Sequence, residues 1–278
     1  MNLQQPDDVR SLSCLDMLKR NPCPILSLGC PILNAAFSDG LRPGLSELCG
    51  EAGTGKSQLC LQLLLQVQLP ESMGGLNGKS LYICTEKVAS SRLIEMASGI
   101  VRKAPQLRQH NFLENILIRP VDSVEELQMI LFEWVPALLK NPQDNIKLVV
   151  VDSVAALLRM EGSVKDRSQL AYHLRQLAML HNICIVASNQ VSDVMSNQAS
   201  GGQLQFLSSG RLVTPALGRR WSIDISRRII LTRDRSPVPR RVMFASGSSY
   251  CPDGHIEFYI NDMGVFGKPQ SDSRDPIP

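Results

Sequence analysis

One stretch constrains this chain more than any other: Gly50-Glu51-Ala52-Gly53-Thr54-Gly55-Lys56-Ser57. It fits GxxxxGK[ST] without a mismatch. The apolar run Leu45–Cys49 directly before it reads as a strand. Lys56–Gln68 directly after it repeats leucine at helical spacing. The glycines let the backbone wrap a phosphate, whose charge then faces loop N–H groups and the positive end of the helix. In such a loop Lys56 reaches the outer phosphates and the Ser57 hydroxyl ligates Mg²⁺.

The rest of the chain repeats that alternation. Strand patterns at Ser80–Thr85, Ile116–Arg119, Lys147–Asp152 and Ile183–Ser188 alternate with helical patterns at Ser90–Lys103, Ser123–Lys140 and Gln169–His181. Ser123 and Glu126 have capping-box spacing. Near-continuous apolar strands between helices predict an α/β fold with a mostly parallel central sheet and helices on both faces. After Ile229 the strand patterns Arg228–Thr232, Arg241–Ala245 and Ile256–Ile260 leave no room for helices. They predict antiparallel strands at one edge of the sheet. Residues 1–26, broken by Asn21-Pro22-Cys23-Pro24, read as an arm or linker; 27–267 as the core; and the polar, Pro-rich 268–278 as a disordered tail.

Two further carboxylates suit a nucleotide site. Asp152 closes the buried run KLVVVD, so it reaches the sheet edge where the phosphate loop sits and suits Mg²⁺; capping a helix that starts at Ser153 is its alternative. Glu86 ends SLYICTE, the next strand after the loop's helix. Orienting the attacking water is one role for it, and a structural carboxylate is the other. Asn189 and Gln190 close the run ICIVAS at the same edge.

Composition excludes several classes. The 278 residues carry a net charge of +3 and no apolar run long enough to span a bilayer. The N-terminus lacks the pattern of a secretory signal. None of the eight cysteines forms a CxxC pair, and the four histidines add no ligand motif. Reduced, buried thiols are expected instead of disulfides or zinc. Arg211–Arg241 gathers nine arginines against Asp224 and Asp234; this suits a phosphate backbone or an acidic partner, or is a solvated surface.

Taken in order, SLGCPILNAAFSDGL (27–41), GEAGTGKSQ (50–58), GGLNGKSLYICTE (74–86), LVVVDSVAALLR (148–159) and SNQV (188–191) resemble the RecA/RadA-type recombinase core from about Leu26 to Gly267. Within that family the chain is similar to the eukaryotic recombinase paralogues. The resemblance implies a RecA-like ATPase core using ATP and Mg²⁺. Gln58 belongs to its loop motif, and Gln190 matches a glutamine that links the γ-phosphate to the DNA-binding loop after it. Arg92 matches an arginine packing on adenine, although its spacing from Thr85-Glu86 is one residue short. Pro252 resembles the proline of an adenine-covering loop. By position, Arg159–Ser168 and the structureless stretch Val191–Pro215 correspond to DNA loops, with Arg159, Lys165, Arg167 and Arg211 as candidate contacts.

The implied function is a slow DNA-dependent ATPase in a heteromer with another recombinase paralogue, the C member. It would act in recombination repair of double-strand breaks and interstrand crosslinks on single-stranded or branched DNA. The main strand-exchange recombinase is a further implied partner, and the implied location is the nucleus with a cytoplasmic pool. A scaffold in which ATP is a structural clip is the alternative; a helicase motor is disfavoured by the paralogue-like segments. The 26 residues before the core are too few for the family's N-terminal helical domain, so autonomous duplex binding is not expected. Ser11–Leu18 occupies the place of a segment that adds a strand to a neighbouring subunit; a disordered leader, or a short helix packing on its own core, is the alternative.

Overall fold

The computed structural model describes residues 23–159, 163–194, 204–246 and 255–269. Six parallel strands form the centre. They are β1 (Gly44–Gly50), β2 (Lys79–Cys84), β3 (Ile116–Pro120), β4 (Ile146–Asp152), β5 (Cys184–Asn189) and β9 (Arg227–Arg233). Three antiparallel strands extend one side: β10 (Arg241–Ser246), β11 (His255–Asn261) and β12 (Gly264–Gly267). The order is β12-β11-β10-β9-β1-β5-β4-β2-β3. A separate antiparallel sheet pairs β6 (Val191–Asp193) and β7 (Phe206–Ser208) with β8 (Arg211–Pro215), which lies between them.

The strands sort their side chains by alternation. Leu148 and Val150 of β4 join one buried cluster, Val149 and Val151 the other. Cys184 and Val186 of β5 divide from Ile185 and Ala187 in the same way. On the first face lie α1 (Pro31–Ala36), α2 (Lys56–Gln66) and α3 (Ser90–Lys103); nearly all of α2 is buried, as its leucine-rich sequence requires. The second face takes α4 (Val124–Met129), α5 (Val135–Lys140), α6 (Val154–Leu158) and α7 (Val164–His181).

Five expectations need correction. First, β9 runs parallel to β1, not antiparallel. A short helix, α8 (Gly218–Ser222), precedes β9 and is too brief to show a period. Second, Ser123 caps α4 through Glu126 N–H, but the Glu126 carboxylate accepts from Asp122 N–H, so the box is not reciprocal. Third, the helix to Lys140 is interrupted by a π-helical turn, Ile130–Trp134. Pro136 follows it and has no N–H for the regular ladder. Fourth, α7 begins at Val164, because Ser163 and Asp166 form a true capping box. Residues 164–168, expected as part of a loop, are therefore helix. Fifth, Val191–Pro215 is not structureless, since it contributes all three strands of the small sheet.

Of the described cysteines, five are buried and Cys23 is exposed; all are free thiols. The arm through residue 22, the tail from 270 and Pro252 lie outside the described residues.

Candidate nucleotide-binding site

The Gly50–Ser57 loop runs from the C-terminal end of β1 into α2. Gly53 and Gly55 have φ of +76° and +111°, the left-handed region that glycine tolerates. A Cβ on Gly50 would lie 2.3 Å from the Leu231 carbonyl oxygen, so this turn tolerates no side chain. Thr54 turns inward, and its Oγ1 donates to Glu51 O at 2.9 Å. Lys56 Nζ donates to the carbonyls of Gly50 (2.8 Å) and Glu51 (2.9 Å). Burial pulls the Lys56 pKa down, opposed first by the negative charge of Asp152.

The loop borders a cavity of about 400 Å³ at the C-terminal edge of the parallel strands. Into it face Ala52, Gly53, Gly55, Lys56, Ser57 and Gln58 from the loop and α2, Glu86 from beyond β2, Asp152 from β4 and Gln190 from beyond β5. The predicted acids, cation and glutamine thus converge on one space. A larger cavity, about 520 Å³, opens toward the C-terminal end of α2 among Gln66, Met73, Ile100 and Phe266. It is mostly apolar and contains neither the loop nor Asp152, so the smaller one is the candidate phosphate site.

Asp152 is held from two sides. Ser188 Oγ donates to its Oδ1, and Tyr82 Oη donates to Oδ2 at 3.1 Å. Burial, then the Asp152 charge, drive the Tyr82 phenol pKa upward, which keeps it a donor. Ser153, not Asp152, caps α6, accepting from Ala156 N–H. The Asp152 carboxylate is thereby left for the cavity. The Asp152–Ser153 peptide is cis. Thr85 N–H donates to Asp152 O and Thr85 Oγ1 accepts from Ser153 N–H, locking the end of β2 against β4. Glu86, the next residue, is exposed at the cavity wall.

These features fit a magnesium nucleotide. The loop is a cradle with no room for side chains at its turn, and Ser57 and Asp152 supply the hard oxygen donors that Mg²⁺ prefers. Lys56 and the loop N–H groups would hold phosphate, and Ser57 with Asp152 would hold the metal. Bound there, Mg²⁺ neutralises developing charge on the phosphoryl oxygens.

Other predicted residues stand elsewhere. Arg92 does not line the cavity. Its guanidinium bonds Gln58 Oε1 (2.7 Å), Glu95 and the carbonyls of Asn261 and Asp262, tying α3 to the β11–β12 turn. Gln58, which it orients, does line the cavity. Arg159 Nη1 donates to Gln190 Oε1, and Arg167 donates to Leu158 O. Lys165 is exposed on the first turn of α7. Arg211 pairs with Glu51 and Asp193.

The arginine-rich stretch is no continuous patch. Arg227 is buried and bonds the carbonyls of Phe37 and Gly40, while Arg228 is buried against Glu47. Sequence reasoning missed this second centre. Glu47 is fully buried in β1 and also accepts from Asn189 Nδ2 (2.7 Å) and Trp221 Nε1 (2.9 Å). A glutamate within the strand pattern Leu45–Cys49, just before the loop, was the available signal.

The Rad51 family profile matches residues 19–268, and with this fold and site the chain belongs to the Rad51 family. Among relatives, it is 36% identical to the DNA repair protein XRCC3 homolog of Arabidopsis thaliana, covering 90% of this chain and 95% of that protein. It is 32% identical to DNA repair protein XRCC3 of Mus musculus, over 89% of this chain and 76% of that one. A third relative, DNA repair protein rhp57 of Schizosaccharomyces pombe, is 32% identical over 87% and 78%. The chain is a recombinase paralogue similar to XRCC3.

Proposed function

We infer that this chain is an ATP-binding subunit of a recombinase-paralogue complex in DNA repair by homologous recombination, and that it hydrolyses ATP slowly when DNA is bound. The carrying observation is the convergence of Lys56, Ser57, Glu86, Asp152 and Gln190 on one cavity. In this reading Lys56 and the loop N–H groups bind and orient the phosphates. Glu86 orients the attacking water. Gln190 stands between the γ-phosphate and β6, through which single-stranded or branched DNA on the small sheet would act on turnover. Lys165 and Arg159 lie on the same side of the scheme as DNA contacts. Names of the relatives support the repair role. A heteromer with another recombinase paralogue, the C member, and a nuclear location complete the proposal.

The scaffold reading, with ATP as a structural clip, is favoured by one observation. Glu86 is exposed two residues past the end of β2, and among the described residues no hydrogen bond fixes its carboxylate. Steady-state ATP turnover with and without single-stranded DNA decides. Lys56→Ala should abolish binding of a fluorescent ATP analogue without unfolding the core. Glu86→Gln should retain binding and lose roughly 10²-fold in turnover, as expected for a lost general base. Wild-type turnover in Glu86→Gln rejects its catalytic role; no turnover in the wild-type chain, with ATP still bound, favours the clip.

A further inference from the structure

We propose that Glu51 is a positioning residue that ties the phosphate-binding loop to the small β6–β8 sheet, so that nucleotide binding fixes that sheet. The proposal rests on reading the cavity as a nucleotide site.

Glu51 faces two ways. Its main-chain carbonyl accepts from Lys56 Nζ and Thr54 Oγ1, so its backbone is part of the loop's interior. Its side chain leaves the cavity and is buried, 7% exposed. There one carboxylate oxygen accepts from Ser208 Oγ (2.7 Å) and Ser209 Oγ (2.6 Å), and the other pairs with Arg211 Nη2. The second arm of the Arg211 fork reaches Asp193 at 3.0 Å. Ser208 ends β7, Arg211 opens β8 and Asp193 ends β6. β7 and β8 therefore meet at this carboxylate directly, and β6 is joined to it through Arg211.

The backbone repeats the connection. Ser209 N–H donates to Arg233 O at 2.7 Å. The Arg233 guanidinium in turn lies over Gly53 of the loop, where a Cβ would stand 3.0 Å from Nη1. At its other end the small sheet is anchored by Gln190, whose carbonyl accepts from Ala216 N–H at 2.9 Å. Gln190 and Glu51 thus hold opposite ends of the same sheet; Gln190 lines the cavity, and Glu51 belongs to the loop that borders it.

A buried carboxylate is costly to desolvate, and here charge-assisted bonds from a guanidinium and two hydroxyls offset the cost. Their directions fix the hairpin relative to Glu51 more tightly than apolar contact would. A phosphate gripped by Lys56 and the loop N–H groups restrains the Glu51 backbone, and its side chain passes that restraint to β7 and β8. Coupling of this kind is reciprocal: whatever binds the small sheet alters nucleotide affinity by the same factor.

The test is hydrogen–deuterium exchange of the full-length chain with and without a non-hydrolysable magnesium ATP analogue, its binding followed separately by fluorescence. In the wild type, nucleotide should slow exchange in residues 206–215. Arg211→Met removes the link from its exposed side. Its nucleotide affinity should stay within about threefold of wild type, below usual coupling factors, while the nucleotide-dependent protection of 206–215 falls to less than half. Glu51→Gln should lose the same protection. A hairpin that responds normally in both variants, or does not respond in a wild-type chain that binds nucleotide, overturns the coupling alone. A wild-type chain that takes up no nucleotide overturns the site reading, and the coupling with it.

Discussion

Arg159 Nη1 donates to Gln190 Oε1 at 3.0 Å, joining the end of α6 to the residue that follows β5. The two segments expected to meet DNA are therefore linked at the wall of the phosphate cavity. Gln190→Ala should keep ATP binding and reduce stimulation of turnover by single-stranded DNA at least about fivefold, the lower range of coupling between sites. Arg159→Met should move the same ratio in the same direction by less. Equal stimulation in wild type and both variants would remove Gln190 from the path between DNA and nucleotide.

Asp152 depends on Tyr82 and Ser188 for its orientation. Partners that orient a metal-ligating group commonly matter about 10–100-fold in metal affinity or activity. Tyr82→Phe retains the ring that packs against α2 and deletes one donor. It should raise the Mg²⁺ concentration needed for half-maximal nucleotide binding by about tenfold, with little change at saturating Mg²⁺. A titration that overlays wild type would show that Ser188 alone suffices.

The parts of this site set by short-range pattern could be read directly. Asp152 ends a strand, and the loop, Glu86 and Gln190 lie just past the ends of others; the parallel sheet brings those ends to one edge. What escaped depends on contacts far apart in sequence. Nothing near Glu51 announces that its partners are Ser208, Ser209 and Arg211, more than 150 residues away. Serines, a glycine and an arginine around 206–215 read as loop because their strands are only three to five residues long. The parallel direction of β9 follows from pairing with β1, which no local period encodes. The bonds of Arg92 to the turn at Asn261–Asp262 likewise join residues about 170 apart in sequence, which no local pattern announces.

Glu47 and Arg228 form a buried ion pair with Trp221 and Asn189 as further donors. Removing one member of such a pair strands the other charge, at about 3–5 kcal/mol. Glu47→Ala should therefore lower unfolding free energy by about that amount. Trp221→Phe, which loses one N–H donor and part of its ring, should cost less. Urea denaturation followed by circular dichroism measures both; near-equal midpoints for Glu47→Ala and wild type would contradict the assigned role of this centre.

Acid should loosen the Glu51 junction. Burial raises the cost of its charge, but hydrogen bonds from Ser209, Ser208 and Arg211, together with the Arg211 charge, outweigh it and hold its pKa below the ordinary glutamate value. A depressed carboxylate contributes stability that is complete above its unfolded pKa, about 4.5, and is lost as pH falls toward the folded value. Residues 206–215 should thus exchange faster, relative to β4 and β5, below pH 4.5 and show no such change between pH 6 and 8. In Glu51→Gln that acid-dependent difference should vanish. If it persists there, another group titrates at the junction.

The proposed heteromer can be tested at one edge of the large sheet. β3 is one of the sheet's two edge strands, and Ile118–Pro120 are exposed along it. Phe132 and Trp134, on the π-helical turn, and Met129 just before it also expose apolar surface. An edge strand with no outer sheet partner among the described residues, beside such surface, invites strand addition by another chain. If the proposed heteromer forms by strand addition, β3 is the surface that would receive a segment from the partner. This edge and the arm can be tested separately. Ile118→Lys places a charge on the edge and should weaken the co-expressed heteromer on size-exclusion chromatography while leaving the melting temperature of the isolated chain within a few degrees. Removal of residues 1–24 should weaken it only if the arm is engaged. Loss with the truncation but not with Ile118→Lys would assign this interface to the arm alone, and a complex that survives both changes would reject strand addition as the mode of assembly.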